Sequence, residues 1–287
     1  MLPPVFGVLF DGLAYGMLLF LLSVGLTVTL GMMNFVNLAH CAFAMVGGYT
    51  TVTLMNAFGW PFFATLPAAF LVAAIISIAF ERVLYRRLYR ASDLDQVLLT
   101  IGIAFVSVAV AAYFFGTTQQ PIRVPDYLRS SFDFHGLNIA SYRLFLVGTG
   151  LAITLILVWA LEHTRFGAQV RAAVDNQRMA RGLGIDVNRT FAITFALGSG
   201  LAGLGGALAI EIVGLDHTFA FTYLVFVLIV VSVGGLGSIA GSFFAAILIG
   251  VSDIAGKYYV PQLGSFLIYL VMLAILMWKP AGLFGRR

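Results

Sequence analysis

Apolar positions run along this chain with few interruptions. Residues 12–80 contain no Asp, Glu, Lys or Arg, a 69-residue stretch in which only His40 titrates near neutrality. A spanning helix needs roughly 20 apolar residues to cross about 30 Å of hydrocarbon, so three crossings fit there. Cutting the rest of the chain at its charges predicts further spans within 96–122, 144–161, 190–210, 217–252 and 258–278. The pattern predicts an all-α polytopic membrane protein of about eight or nine transmembrane segments, some discontinuous or re-entrant.

Two regions break the simple count. The 217–252 stretch has 36 residues. As helix it reaches about 54 Å, short of the roughly 60 Å plus a turn that two crossings require. It is interrupted by GGLGS at 234–238. Short, glycine-broken segments are the usual trace of discontinuous helices around a transport pathway. A similar interruption, GMMNFVNLAH, occupies 31–40. Three crossings in the opening stretch put the N-terminus outside; one re-entrant piece puts it inside. Asp11 alone does not decide between them.

Composition agrees with a membrane protein: 61% hydrophobic, 10% charged, mean hydropathy +1.01, against about 25% charged in soluble domains. The cations are clustered. Arg82, Arg86, Arg87 and Arg90 form one group, and Arg165, Arg171, Arg178, Arg181 and Arg189 a second. Lys279, Arg286 and Arg287 close the chain. The positive-inside rule places all three groups in the cytoplasm. Residues 117–142 then lie outside, with Arg123 and Arg129 offset by Asp126 and Asp133. Trp60, Trp159 and Trp278 fall at span ends, where indoles prefer to sit. Topology thus accounts for the net charge of +4, and no nucleic-acid partner is expected. The chain reads as a single transmembrane domain over 1–287, with a cytoplasmic loop at 164–190 and a periplasmic loop at 117–142. No basic region opens the sequence as in a secretory signal. The lone Cys41 excludes an internal disulfide and a multi-cysteine metal site. There is no P-loop, hydrolase triad or metal-ligand cluster, so the chain reads as neither an enzyme nor an ATPase.

Three polar places remain. GAQVRAAVDNQRMARGLGID at 167–186 has helical periodicity, with Val170, Ala173, Val174 and Met179 able to share an apolar side. Gly182 and Gly184 then stop the helix. The loop holding it, 27 residues long, exceeds usual connections, which argues for a function. Asn34, Asn37 and His40 follow one another at intervals of three, which puts them roughly on one helix face. They read either as a pathway-lining strip or as interhelical hydrogen-bonding groups. Ser199, Gly203 and Ala207, beside Ala202 and Gly206, form small-residue rows suited to close helix packing. Glu211, Asp216 and His217 read as interfacial. Asp253 with Lys257 reads as a surface i,i+4 ion pair near the outer end of a span.

Several of these segments also resemble a known family. The pattern Gly167, Arg171, Ala172, Asn176, Ala180, Gly184 and Ile185, followed by FAITFALGSGLAGLGGAL at 191–208, is similar to the permeases of branched-chain amino-acid ABC importers. So are GMMNFVNLAH at 31–40, GGLGSIAGSFFAAILIG at 234–250 and the ending KPAGLFGR at 279–286. The motifs keep their order over nearly the full chain and most resemble the shorter of the family's two permease types. The resemblance implies a subunit of the bacterial inner membrane forming half of a translocation pathway. Its partners would be a second homologous permease, two cytoplasmic ATPases and a periplasmic substrate-binding protein. ATP would be used by the partners, with no cofactor bound by this chain. It implies that the 164–190 loop docks on the ATPase through Gly167, Arg171, Asp175, Asn176, Ala180, Gly184 and Ile185. Asn34, Asn37, His40, Gly234, Gly235, Gly237 and Ser238 are expected along the pathway, at the interface with the second permease. The chain departs from the family after His40, where Cys41 and Ala42 stand in place of a frequent glycine and glutamate. Apolar amino acids are the expected substrates, with urea, short amides or small carboxylates as alternatives. A self-sufficient secondary transporter would need buried ion-coupling carboxylates, and the sequence shows no such pair.

Overall fold

The computed structural model describes residues 4–33, 35–88, 91–134 and 137–285. Asn34, Arg90, Arg286 and Arg287 lie outside the described residues. Helix α1 (Pro4–Met33) is followed by an irregular segment at 35–39, then α2 (His40–Asn56) and α3 (Phe62–Phe80). Helix α3 continues through one π-helical turn (Glu81–Tyr85) into α4 (Arg86–Leu88). After α5 (Asp93–Phe115), the loop holds a short α6 (Asp126–Arg129) and a β-hairpin of β1 (Ser131–Phe134) and β2 (Leu137–Ala140). This hairpin is an exception to the all-α expectation. Then come α7 (Ser141–His163), α8 (Arg165–Asp175), α9 (Gln177–Gly182) and α10 (Val187–Val213). Helices α11 (Phe219–Gly234), α12 (Ile239–Tyr259) and α13 (Gly264–Trp278) complete the chain.

Among the described residues six helices are long and apolar enough to cross a membrane: Val5–Leu30, Phe62–Leu88, Asp93–Phe115, Ser141–His163, Val187–Val213 and Ile239–Tyr259. With 17, 16 and 15 residues, α2, α11 and α13 reach only about 23–26 Å each. Helices α1 and α10 form the buried centre, and α5 and α7 lie at the periphery. The α10 seam depends on small residues. A Cβ at Gly206 would overlap the Ala44 backbone of α2, and one at Gly203 would overlap the Ala73 side chain of α3. Here the small-residue rows pack backbone against backbone. Across the α1–α12 seam the hydroxyls of Thr27 and Ser242 meet at 2.7 Å.

One end of the bundle gathers Arg82, Arg86 and Arg87 with α8 and α9, whose Ala173 and Ala180 share a core cluster with Tyr85. At the other end Asn56 Nδ2 donates to the Pro121 carbonyl (3.1 Å) and the Gln120 N–H to the Leu215 carbonyl (2.8 Å). Asp11 is ion-paired to Arg143, beside the hairpin. The start of α1 therefore lies at the hairpin end, opposite the arginines.

Two readings drawn from the charges are corrected. Helix α12 does not end at residue 252 but runs to Tyr259, carrying Asp253 and Lys257 within it. These two form the expected i,i+4 pair (Nζ–Oδ2 2.6 Å), and the Lys257 side chain is 52% exposed, but the Asp253 side chain is only 1% exposed. The carboxylate is buried beneath a lysine that extends outward, and a cut at every charge misses such a helix.

Candidate functional site

The segment at 35–39 is a break between two helices. Asn37 precedes α2 and His40 is its first residue, so these two do not share the expected helix face, and Asn34 lies outside the described residues. A broken backbone inside a bundle must find its hydrogen-bond partners within the protein. The Val36 N–H donates to Gln96 Oε1 (3.0 Å) and the Leu38 N–H to Thr100 Oγ1 (3.1 Å), both on α5. The Ala39 N–H donates to Asn37 Oδ1 (3.1 Å). Gln96 Nε2 also donates to the Leu88 carbonyl (3.2 Å), tying the break to the arginine-rich helix end. Sequence reading missed Gln96 and Thr100; two polar residues four apart in an otherwise apolar span were the available signal.

Asn37 and His40 are fully buried within the subunit. His40 Nε2 lies 3.0 Å from the Leu22 carbonyl oxygen. A carbonyl only accepts, so the proton sits on Nε2 and leaves Nδ1 as an acceptor. Neither His40 Nδ1 nor Asn37 Nδ2 has a partner. One buried donor and one buried acceptor are left unused, each at a cost of about 1–3 kcal/mol.

Residues 235–238 form the second break. Gly235 (φ +97°) and Gly237 (φ +78°) adopt the left-handed region, which a side chain would strain. Ser238 caps α12 by accepting from the Gly241 N–H (3.0 Å). Gly234 packs against the Gly241–Ser242 backbone. The chain's final residues close this turn, with the Leu283 N–H donating to the Val233 carbonyl (2.8 Å) and the Phe284 N–H to that of Gly234 (3.1 Å). Residues of the terminal KPAGLFG motif thus cap the last carbonyls of α11.

The 164–190 loop folds as two helices that meet at Asn176. Its Oδ1 accepts from the Met179 N–H (3.0 Å) and caps α9. Arg171 donates to the Leu161 carbonyl at the end of α7, where a Cβ on Gly167 would overlap the Leu161 backbone. Ala180 is buried, its carbonyl accepts from the Ile185 N–H (3.0 Å), and Ile185 packs on the core. Gly184 ends the element at φ +81° with open space around its α-carbon. Asp175 is exposed at the junction. The expected apolar side is corrected at one position: Met179 lies nine residues after Val170, about half a turn round an α-helix, so it does not join Val170 and Ala173. It is 66% exposed, with Leu183 at 79%, between the exposed Arg178 and Arg181.

An aromatic cluster joins the first break to the loop helices. Phe35 from the first break meets Tyr85 (ring centroids 5.1 Å apart) and Phe195 of α10 (6.5 Å). Tyr85 and Phe195 are 5.2 Å apart, and Phe43 of α2 packs on Phe195 at 6.0 Å. Ala173 and Ala180 of the loop helices close the same cluster. The loop helices and the 35–39 break thus share one core cluster.

The chain matches the family model described as branched-chain amino acid transport system, permease component, over residues 8–276. It is 28% identical to the probable branched-chain amino acid transport permease protein LivH of Methanocaldococcus jannaschii, covering 97% of this chain and 92% of that protein. It is 24% identical to the high-affinity branched-chain amino acid transport system permease protein LivH of Escherichia coli K12, covering 97% and 94%. Against LivM of the same strain, also named a permease of that system, it is 26% identical over 93% of this chain and 68% of that protein. With its multi-pass helical bundle and a match spanning nearly its whole length, the chain belongs to the family of branched-chain amino acid transport permease components.

Proposed function

We infer that this chain is one of two homologous permease subunits of an ABC importer for branched-chain and other apolar amino acids in the bacterial inner membrane. The resemblance to both LivH and LivM supports a paired permease. Two cytoplasmic ATPases and a periplasmic binding protein complete the assembly. The ATPases use the ATP, and this chain binds no cofactor. The arginine-rich end faces the cytoplasm, the hairpin faces the periplasm, and the chain contributes eight or nine segments, with α2, α11 and α13 reaching only part-way.

The observation that carries the mechanism is the aromatic cluster from α8 and α9 to the 35–39 break. The ATPases engage the 164–190 loop, whose shape is held by Gly167, Arg171, Asn176, Ala180, Gly184 and Ile185, with Asp175 presented at the surface. Movement of the loop shifts Tyr85 and Phe195 against Phe35 and loosens the break. Asn37 and His40, which hold an unused donor and acceptor, then meet solute or water. The turn at 234–238 borders the same pathway at the interface with the second permease. The pathway residues named here carry no full charge, so solute passes without being held tightly and the binding protein selects it.

Ser238→Trp tests this reading, because a bulky ring at the turn narrows the pathway. Assembly with the partner subunits should be retained and uptake lost. Uptake by the wild-type complex should be competed by leucine, isoleucine and valine and not by urea. Normal uptake by Ser238→Trp removes the turn from the pathway, and competition by urea alone overturns the substrate class.

A further inference from the structure

At the hairpin end of the bundle the chain leaves α2 through a tight turn. The Gly59 N–H donates to the Met55 carbonyl (3.1 Å) and the Trp60 N–H to that of Leu54 (3.0 Å), with Gly59 at φ +68°. The loop that follows α5 lies across from this turn. It is tied down where Asn56 Nδ2 donates to the Pro121 carbonyl (3.1 Å) and the Gln120 N–H to the Leu215 carbonyl (2.8 Å). Between turn and loop opens a crevice of about 310 Å³, lined by Met55, Asn56, Trp60, Pro121, Ile122 and Arg123 among others.

Its walls carry three kinds of group. Met55, Ile122 and the Trp60 indole are apolar. Asn56 commits an amide N–H to Pro121, which leaves Oδ1 as an acceptor, and among the described residues nothing donates to it. Arg123 brings the one full charge among the lining residues. It is exposed and makes no ion pair among the described residues. Asp126 and Asp216 lie at the same end of the bundle but do not line the crevice. A guanidinium takes a carboxylate through two parallel hydrogen bonds. An amide oxygen and an indole face accept an ammonium, and apolar walls take an aliphatic side chain. The volume falls at the small end of the roughly 300–1,000 Å³ of ligand pockets, which suits a solute of few atoms.

We propose that this crevice is an outer subsite for a free α-amino acid with an aliphatic side chain. Its carboxylate sits at Arg123, its ammonium at Asn56 Oδ1, and its side chain against Met55, Trp60 and Ile122. Resting on the permease reading, which puts the hairpin end in the periplasm, the site receives solute between the binding protein and the pathway. A single exposed charge in contact with water holds it weakly, so the solute is free to move on.

Photo-leucine, the diazirine analogue of leucine, tests this on the purified importer complex without binding protein or ATP. After irradiation, mass spectrometry should find the label on peptides holding residues 55–60 or 121–123. Excess leucine should compete for it, and leucinamide, which lacks the carboxylate, should not. Arg123→Gln changes an exposed, unpaired side chain and keeps the fold; below saturation it should lower the labelling roughly 10- to 150-fold, the worth of hydrogen bonds to a charged group. Arg123→Lys, which keeps the charge, should retain part of it. Competition by leucinamide equal to that by leucine overturns the proposal, as does unchanged labelling in Arg123→Gln. An unlabelled crevice, with Arg123→Gln weakening capture of the ligand-free binding protein, also overturns it and assigns the crevice to an acidic side chain of that partner. Leucine uptake by the complete importer is scored separately, so failure of the subsite leaves the permease reading standing.

Discussion

Gly182 and Gly184 allow a paired test of the docking loop. Both are exposed, and neither would bring a Cβ within 4 Å of another group. They differ in backbone: Gly182 is the last residue of α9, whereas Gly184 sits at φ +81°. A β-branched side chain at Gly184 meets no steric neighbour, so its cost is the left-handed conformation itself, about 1–3 kcal/mol. The loop escapes that cost only by leaving the geometry in which the Ile185 N–H reaches the Ala180 carbonyl at 3.0 Å. If the ATPases require this geometry, Gly184→Val lowers ATP-driven uptake by roughly 5- to 150-fold, the factor that corresponds to 1–3 kcal/mol. Gly182→Val carries only the helix-propensity difference, which is below about 1 kcal/mol and lies in valine's favour. Substrate-stimulated ATPase activity and uptake are measured with both variants in vesicles, after confirming equal insertion. Equal behaviour of the two variants refutes the role of the loop geometry in coupling.

Three further outcomes are expected. Thr100→Val leaves the Leu38 N–H without its acceptor, and Gln96→Leu strips both the Val36 N–H and the Leu88 carbonyl. At about 1–3 kcal/mol per orphaned group, Gln96→Leu should lower the unfolding midpoint in detergent about twice as far as Thr100→Val. Lys257→Met leaves Asp253 buried without its partner and should cost about 3–5 kcal/mol, while the double change Asp253→Leu with Lys257→Met should recover most of it. Single cysteines at Arg87 and Asn176, in a Cys41→Ser background, should resist an impermeant thiol reagent in intact cells, whereas one at Ser130 should label.

The spans were legible because hydrocarbon excludes charge, so charge-free runs mark the helices directly. The same logic failed at Asp253, whose cost is met by Lys257 one turn on and not by exposure. The breaks at 31–40 and 234–238 were visible as glycines and asparagines in apolar sequence. Their partners were not, because Gln96 and the 283–284 backbone lie far away along the chain. Asn37 was assigned a helix face since spacing alone does not show where a helix starts. Met179 was misplaced because nine residues after Val170 is the opposite side of a 3.6-residue helix, and it is 66% exposed. The end of the bundle that holds the start of α1 needed one long-range contact, Asp11 to Arg143. The link from the 164–190 loop to the first break lies in Phe35, Tyr85 and Phe195, which only the folded chain brings together.

The central claim is that this chain is half of an ATP-driven pathway for branched-chain amino acids. Its most direct measurement is uptake of labelled leucine into vesicles holding this chain, the second permease, the two ATPases and the binding protein. The account predicts uptake only with ATP on the ATPase side and the binding protein on the other, abolished when either is left out. Leucine uptake by the permease chains alone, driven by a proton or sodium gradient, would contradict it.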